Sequence, residues 1–236
     1  MAGSDQPRPL PLDYDHNPDR FWTGRAVVAE FGLAGDVHPP IAARLLREAA
    51  SPALDMGCGD GVLGHLLSGS ALHWIGLDLS RRLLNDAPRP VVLGDAARLP
   101  LRSDSFGAVA ALYMLYHLVE PGRAIREAHR VLRSGGLFVA AAPSRYDSPE
   151  LDGLLPPTPL DTFDAEVGPA LISAVFRDVQ VEAWDGPYLR LPDATALRRY
   201  LIGRGVDPSV AAIRAEQRSF PLTITKRGAL LFGRKS

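Results

Sequence analysis

The stretch Ala53–Leu67, A-L-D-M-G-C-G-D-G-V-L-G-H-L-L, constrains the chain more than any other. It reads as an apolar strand ending in an acid (Asp55), a turn with glycines at every second position (Gly57, Gly59, Gly61), and the first turns of an apolar-patterned helix. A strand entering a helix through such a turn belongs to a parallel α/β sheet, which presents ligands at the carboxyl ends of its strands. With 236 residues, 46% hydrophobic and 22% charged, the chain can bury a core large enough for one elaborated domain.

The remaining pattern supports that sheet. Strands are expected at His73–Leu79, Pro90–Leu93, Phe106–Leu112 and Leu137–Ala142, alternating with helices, among them Pro121–Leu132 with Ser134-Gly135-Gly136 as its stop. Ahead of the first strand, residues 1–12 read as a polar, proline-rich tail, and Arg20–Phe31 and Ile41–Ala49 as two helices. Beyond Pro143 come a proline-rich loop, a helix over Ala165–Phe176 and a strand over Val179–Trp184. Helices over Asp193–Ile202, capped by Asp193, and Pro208–Arg218 precede a last strand, Leu222–Phe232, in which Gly228 marks a bulge or bend. The expected fold is α/β: a doubly wound sheet of about seven strands, mostly parallel, with an antiparallel C-terminal hairpin, an N-terminal helical cap and a small helical insertion. Residues 1–49 form tail and cap, 50–146 the cofactor-binding core, and 147–236 a C-terminal part with its insertion at about 191–218, all within one domain.

Gly59-Asp60-Gly61-Val62-Leu63-Gly64 is formally G-x-G-x-x-G, and Asp78 follows as an acid at the end of the next strand, which is the dinucleotide fingerprint. Asp55 argues otherwise. A carboxylate two positions before the first glycine would oppose a pyrophosphate and suits an ammonium group. S-adenosylmethionine offers an ammonium, a sulfonium and no phosphate, and its ribose diol needs an acceptor such as Asp78.

The segments L-D-M-G-C-G-D-G, G-L-D-L-S, G-D-A-A-R-L-P-L-R-S-D-S-F-G-A-V and H-R-V-L-R-S-G-G-L-F-V-A, in that order, resemble the motifs of class I S-adenosylmethionine-dependent methyltransferases over about Ala53–Ala142. The resemblance, to the type 11-like members, implies a Rossmann-like fold and S-adenosylmethionine as cofactor. It places Asp55 and the backbone of Gly57, Cys58 and Gly59 at the methionine moiety, Asp78 at the ribose hydroxyls, and Leu79 on the adenine. Asp95 and the Ala96 backbone then read the adenine edge, and Leu112 lines the methionine side. One position departs from the pattern: Gly107 stands where the family often carries an acid.

Because a sulfonium methyl group is already electrophilic, holding an acceptor in line can suffice, and a base is optional. His117 is the catalytic candidate by position, with packing beside the cofactor as its other reading. Tyr14, Tyr113 and Tyr146 are candidate acceptor-site residues. Tyr188, Leu189, Leu191, Tyr200 and Leu201 give the insertion an apolar, aromatic character that suits either a partly hydrophobic metabolite or core packing. Arg198, Arg199 and Arg204 suit either an anionic group or a solvated face.

The formal net charge of −1 speaks against nucleic acid as partner. Cys58, the single cysteine, excludes an internal disulfide and a cysteine-based zinc cluster, and no metal site is expected. The absence of a signal-like segment or a long apolar run leads to an expected cytoplasmic protein, monomer or homodimer, with a small-molecule acceptor and no membrane association. The expected function is methyl transfer to an O, N or C atom of a small metabolite. An RNA or protein methyltransferase and a non-catalytic S-adenosylmethionine-binding protein are the alternatives.

Overall fold

The computed structural model describes residues 18–155 and 162–236. Two helices, α1 (Pro18–Phe31) and α2 (His38–Arg47), precede β1 (Ala53–Met56). There follow α3 (Val62–Leu67), β2 (Trp74–Asp78), α4 (Arg81–Leu84), β3 (Val91–Leu93), β4 (Phe106–Leu112), α5 (Pro121–Val131) and β5 (Leu132–Pro143). The C-terminal part comprises α6 (Gly168–Ser173), β6 (Arg177–Leu191), α7 (Ala194–Gly203), α8 (Pro208–Glu216) and β7 (Leu222–Arg234).

Seven strands form one sheet in the order β3-β2-β1-β4-β5-β7-β6. The first five are parallel, whereas β7 runs antiparallel between β5 and β6. The chain winds outward from β1 to β3 and then returns to β4 on β1's other side, so the topological switch point, where such sheets bind ligands, lies between β1 and β4.

Both faces of the central strands are buried, and their side chains alternate with period two. Val109, Ala111, Phe138 and Ala140 meet Ile125, Ala128 and Val131 of α5 on one face. Ala108, Ala110, Val139 and Ala141 meet Ile41 and Leu45 of α2 and Leu63 and Leu67 of α3 on the other. The small residues of β4 let the helices sit close. Gly107 fits this compression: a Cβ there would stand 2.8 Å from the Ala50 carbonyl carbon and 3.0 Å from Ser51 N. The backbone before β1 occupies the space an acidic side chain would need.

A third core joins α1 to the C-terminal part. Val27 of α1 packs with Leu197, Tyr200 and Leu201 of α7 and with Leu189 and Leu191 of β6. The crossing of α1 over α7 is close because glycines face each other there; a Cβ on Gly203 would lie 2.7 Å from Gly24 Cα. Cap and insertion thus form one lid over the carboxyl ends of the strands.

The structure corrects three sequence expectations. Ser134-Gly135-Gly136 does not stop α5, which ends at Val131; the segment already belongs to β5, where the register with β4 shifts between Phe106 and Ala108. The helix expected over Ala165–Phe176 is shorter, because the Asp164 carboxylate takes the Glu166 and Val167 N–H groups in a turn ahead of α6. Gly228 makes no bulge: it pairs in register with Pro143 on one side and Trp184 on the other, and the irregularity lies across β6 between Pro187 and Leu189. Asp193 does cap α7, its carboxylate accepting the Ala196 N–H at 2.8 Å.

Candidate active site

A cavity of about 1130 Å³ opens at the carboxyl ends of β1, β2 and β4, roofed by α1 and the β6–β7 hairpin. Its first half is made by the glycine turn. The N–H groups of Gly57 and Cys58 both donate to Leu77 O, at 2.7 and 3.0 Å, folding the turn over the end of β2. Gly57 has φ +68°, and a Cβ there would stand 2.6 Å from Met114 Cβ, so only glycine fits.

Asp78 is locked in place. One carboxylate oxygen accepts the Gly59 N–H at 2.8 Å and the other the Ser80 N–H at 2.8 Å. Two backbone donors hold the anion and fix its orientation at the cavity wall. Asp95, on the wall after β3, accepts the Ala97 N–H at 2.8 Å, and Ala96 is buried beside it. Leu79 offers an apolar surface to the cavity at 59% exposure, while Leu112 closes the floor. Asp60 of the turn pairs with Arg25 of α1 and ties lid to turn.

Asp55 does not reach the cavity wall. It is 3% exposed, behind the turn, and its carboxylate accepts the Trp74 indole N–H at 3.3 Å. Burial pushes its pKa up to about 7, and the negative charges of Asp78 and Asp60 add to the rise. Asp78, with a partly ionised Asp55 behind the turn, puts negative charge at a turn whose third acid, Asp60, is already paired with Arg25; that charge opposes a pyrophosphate and suits a cationic, phosphate-free ligand. The donor set therefore fits S-adenosylmethionine: locked acids for a diol and an amine edge, an apolar face for a ring, and negative charge at the turn.

Cys58 is buried at 8% exposure, and burial followed by the charge of Asp55 drives its thiol well above the ordinary range, so it remains a thiol. The other half of the cavity is aromatic and charged. Tyr113, directly after β4, has φ +58°, a left-handed conformation that a bulky residue adopts at a cost of about 1–3 kcal/mol. Its N–H donates to Ala141 O at 3.0 Å, and burial pushes its hydroxyl up, keeping the phenol protonated. His117, on the 3-10 turn after it, packs on Tyr116 with ring centroids 4.2 Å apart. Burial, aided by the charge of Arg20, lowers the His117 pKa to about 4, so the imidazole is neutral and a weak base.

Of the acceptor candidates, Tyr113 lines the cavity; Tyr146 is 64% exposed and stands outside it, its place on the wall taken by Asp147 and Ser148. Tyr14 lies outside the described residues. Tyr188 and Tyr200 line the cavity, whereas Leu189, Leu191 and Leu201 belong to the lid's own core. Arg199 pairs with Glu30 on the lid surface, but Arg204 faces the cavity.

Sequence reasoning passed over Asp36, Trp184 and Lys226, all on the wall. Lys226 carried a signal: it is one of two lysines in a chain with 26 lysines and arginines together. Among the described residues, no cluster of three or more metal-ligating side chains is found, and no helix is long and apolar enough to cross a membrane.

Residues 54–140 match a family model described as "Methyltransferase domain". A demethylmenaquinone methyltransferase of Clavibacter sepedonicus is 29% identical over 66% of this chain and 66% of its own length. A probable S-adenosylmethionine-dependent methyltransferase of Mycobacterium tuberculosis is 32% identical over 63% of this chain and 57% of its own. The chain thus spans less than two thirds of the length of these curated relatives. Among solved structures, the YcgJ protein of Bacillus subtilis superposes with a TM-score of 0.62 at 21% identity, covering 82% of this chain and 97% of that one, a likeness of fold.

Proposed function

We propose, on the premise that residues 54–140 are a methyltransferase domain of the class I S-adenosylmethionine-dependent kind, that this chain transfers a methyl group to a small, partly hydrophobic metabolite. The single observation that carries the reading is the Asp78 carboxylate, locked by the Gly59 and Ser80 N–H groups at the mouth of a turn ringed by acids. When bound, S-adenosylmethionine supplies an electrophilic methyl group on a sulfonium.

In this reading Asp78 holds the ribose hydroxyls, Asp95 and Ala96 the adenine edge, Leu79 covers the ring, and Gly57–Gly59 and Leu112 border the methionine part. Asp55 acts from behind the turn by charge rather than by contact. A cation at the turn favours its ionised form, so binding and Asp55 deprotonation support each other. His117, neutral and poorly basic, shapes the wall and excludes water beside the reacting centre. Tyr113 keeps its proton and presents a hydrogen-bonding hydroxyl. Rate enhancement comes from orientation in a covered cavity.

The similarity to a demethylmenaquinone methyltransferase supports a small-molecule acceptor. The cavity adds to that support, being walled by side chains of the lid and hairpin. The test is incubation of the protein with methyl-labelled S-adenosylmethionine and a metabolite extract, read by mass spectrometry. Label in a small molecule supports the reading. Label only in protein or RNA, or in nothing, contradicts it.

A further inference from the structure

The acceptor half of the cavity holds two cations that have no carboxylate in ion-pair contact among the described residues. Lys226 Nζ lies 4.5 Å from the Tyr113 ring centroid and 4.2 Å from that of Tyr188, between two aromatic faces. Arg204, at the end of α7, makes one side-chain hydrogen bond, to the Tyr200 hydroxyl at 3.3 Å. Both line the cavity. The acids whose charge acts on Lys226 are themselves hydrogen-bonded: Asp147 accepts from the Arg227 N–H and the Ser148 hydroxyl, and Asp36 from both the backbone N–H and the ring of His38.

The charge of Arg204 reaches Lys226. Burial lowers the Lys226 pKa; the pull of Asp147 opposes this, the charge of Arg204 adds to it, and Asp36 opposes it again. Aromatic faces compensate a desolvated ammonium only partly, by about 0.5–2 kcal/mol. An anion in reach of both would supply the ion-pair contact that neither Lys226 nor Arg204 makes among the described residues. Asp36 and Asp147 on the same wall favour a single negative charge over a phosphate dianion. The neighbouring wall is aromatic, with Tyr113, Tyr116, Trp184, Tyr188 and Tyr200 among its side chains.

We propose that the acceptor is a planar aromatic molecule bearing a carboxylate, with its ring against the tyrosines and Trp184 and its carboxylate between Lys226 and Arg204. The word acceptor rests on the methyl-transfer reading; the anion site itself does not. The cofactor half is built on acids and backbone, so the two halves select opposite charges.

The experiment is calorimetric titration of the protein, saturated with S-adenosylhomocysteine, with 2-naphthoate, 2-naphthamide and 2-naphthylmethylammonium. Naphthoate is expected to bind at least tenfold more tightly than the amide, and the ammonium more weakly still. Lys226→Met and Arg204→Met should each weaken naphthoate about tenfold and Lys226→Arg much less. S-adenosylhomocysteine affinity should stay within twofold in every variant, which also reports that each has folded; where one has not, the wild-type preference decides alone. Equal binding of naphthoate and naphthamide, or wild-type naphthoate affinity in Lys226→Met, overturns the proposal. If S-adenosylhomocysteine does not bind the wild type, the methyl-transfer reading falls, and the same probe series on the free protein still decides the anion site.

Discussion

The wall of the cavity built from β1, β2 and β3 and the wall built from the β6–β7 hairpin hold their polar groups in different ways. In the first, backbone N–H groups fix a carboxylate: Asp78 is held by Gly59, 19 residues earlier, and by Ser80, two residues later. In the second, side chains far apart in sequence hold each other, as Lys226 lies between Tyr113 and Tyr188. Backbone geometry is specified by a short motif and can serve one ligand in many proteins. Side-chain geometry depends on how lid and hairpin pack, and can change with the acceptor while the cofactor half stays as it is.

Substitutions that act on one wall alone separate the two. The largest effect is expected from Gly57→Val, which places a side chain where Met114 already stands, at a residue with φ +68°. It should abolish measurable cofactor binding and cost about 3 kcal/mol in chemical denaturation, with Gly57→Ala intermediate. Retained cofactor affinity in Gly57→Val would break the distinction between the walls.

Asp55→Asn tests the charge behind the turn. Asp55 is raised from an ordinary 3.8 to about 7, so its contribution to stability is present at low pH and lost as pH rises between about 4 and 7. His117 is lowered from 6.5 to about 4, and its contribution is lost as pH falls through the same window. The two oppose each other in the wild type. Thermal denaturation across pH 4–8 should show Asp55→Asn gaining stability with pH relative to the wild type, by on the order of 2–4 kcal/mol. His117→Gln should show the reverse slope. Cofactor affinity should rise from pH 6 to 8 in the wild type and lose that dependence in Asp55→Asn.

Gly228→Ala probes the second wall. A Cβ there would stand 2.4 Å from the Trp184 ring and 2.5 Å from Ala142 O, so the hairpin must shift, at a cost of about 1–3 kcal/mol. Cofactor affinity should stay within about twofold. The smallest effect is expected from Tyr146→Ala, since that side chain is exposed: stability should change by less than about 0.5 kcal/mol, and cofactor affinity not at all.

The same contrast explains what could be read from the sequence. β4 appears over Phe106–Leu112 as its apolar run indicates, and the mixed seven-stranded sheet follows from strand and helix alternation. That Asp78, Leu79 and Asp95 line the cavity was legible because their positions are set by local spacing along strand ends. Asp55 was legible as an acid at the turn but not as a group behind it, since which side of a strand end faces the ligand depends on Trp74 packing beneath. The place of Lys226 on the wall was not legible: its rarity as a lysine marks the residue, but only the antiparallel return of β7 brings it to Tyr113, 113 positions earlier in the chain. Tyr146 shows the converse, an aromatic residue near the right strand end whose side chain points to solvent.

Asp78 carries the cofactor-binding reading most directly. Calorimetric titration of S-adenosylmethionine into the wild type, Asp78→Ala and Lys226→Met is the decisive comparison. Losing a charged acceptor of two ribose hydroxyls costs about 1.5–3 kcal/mol, so Asp78→Ala should bind at least about tenfold more weakly, with Lys226→Met unchanged. Wild-type affinity in Asp78→Ala, or no binding by the wild type, would contradict it.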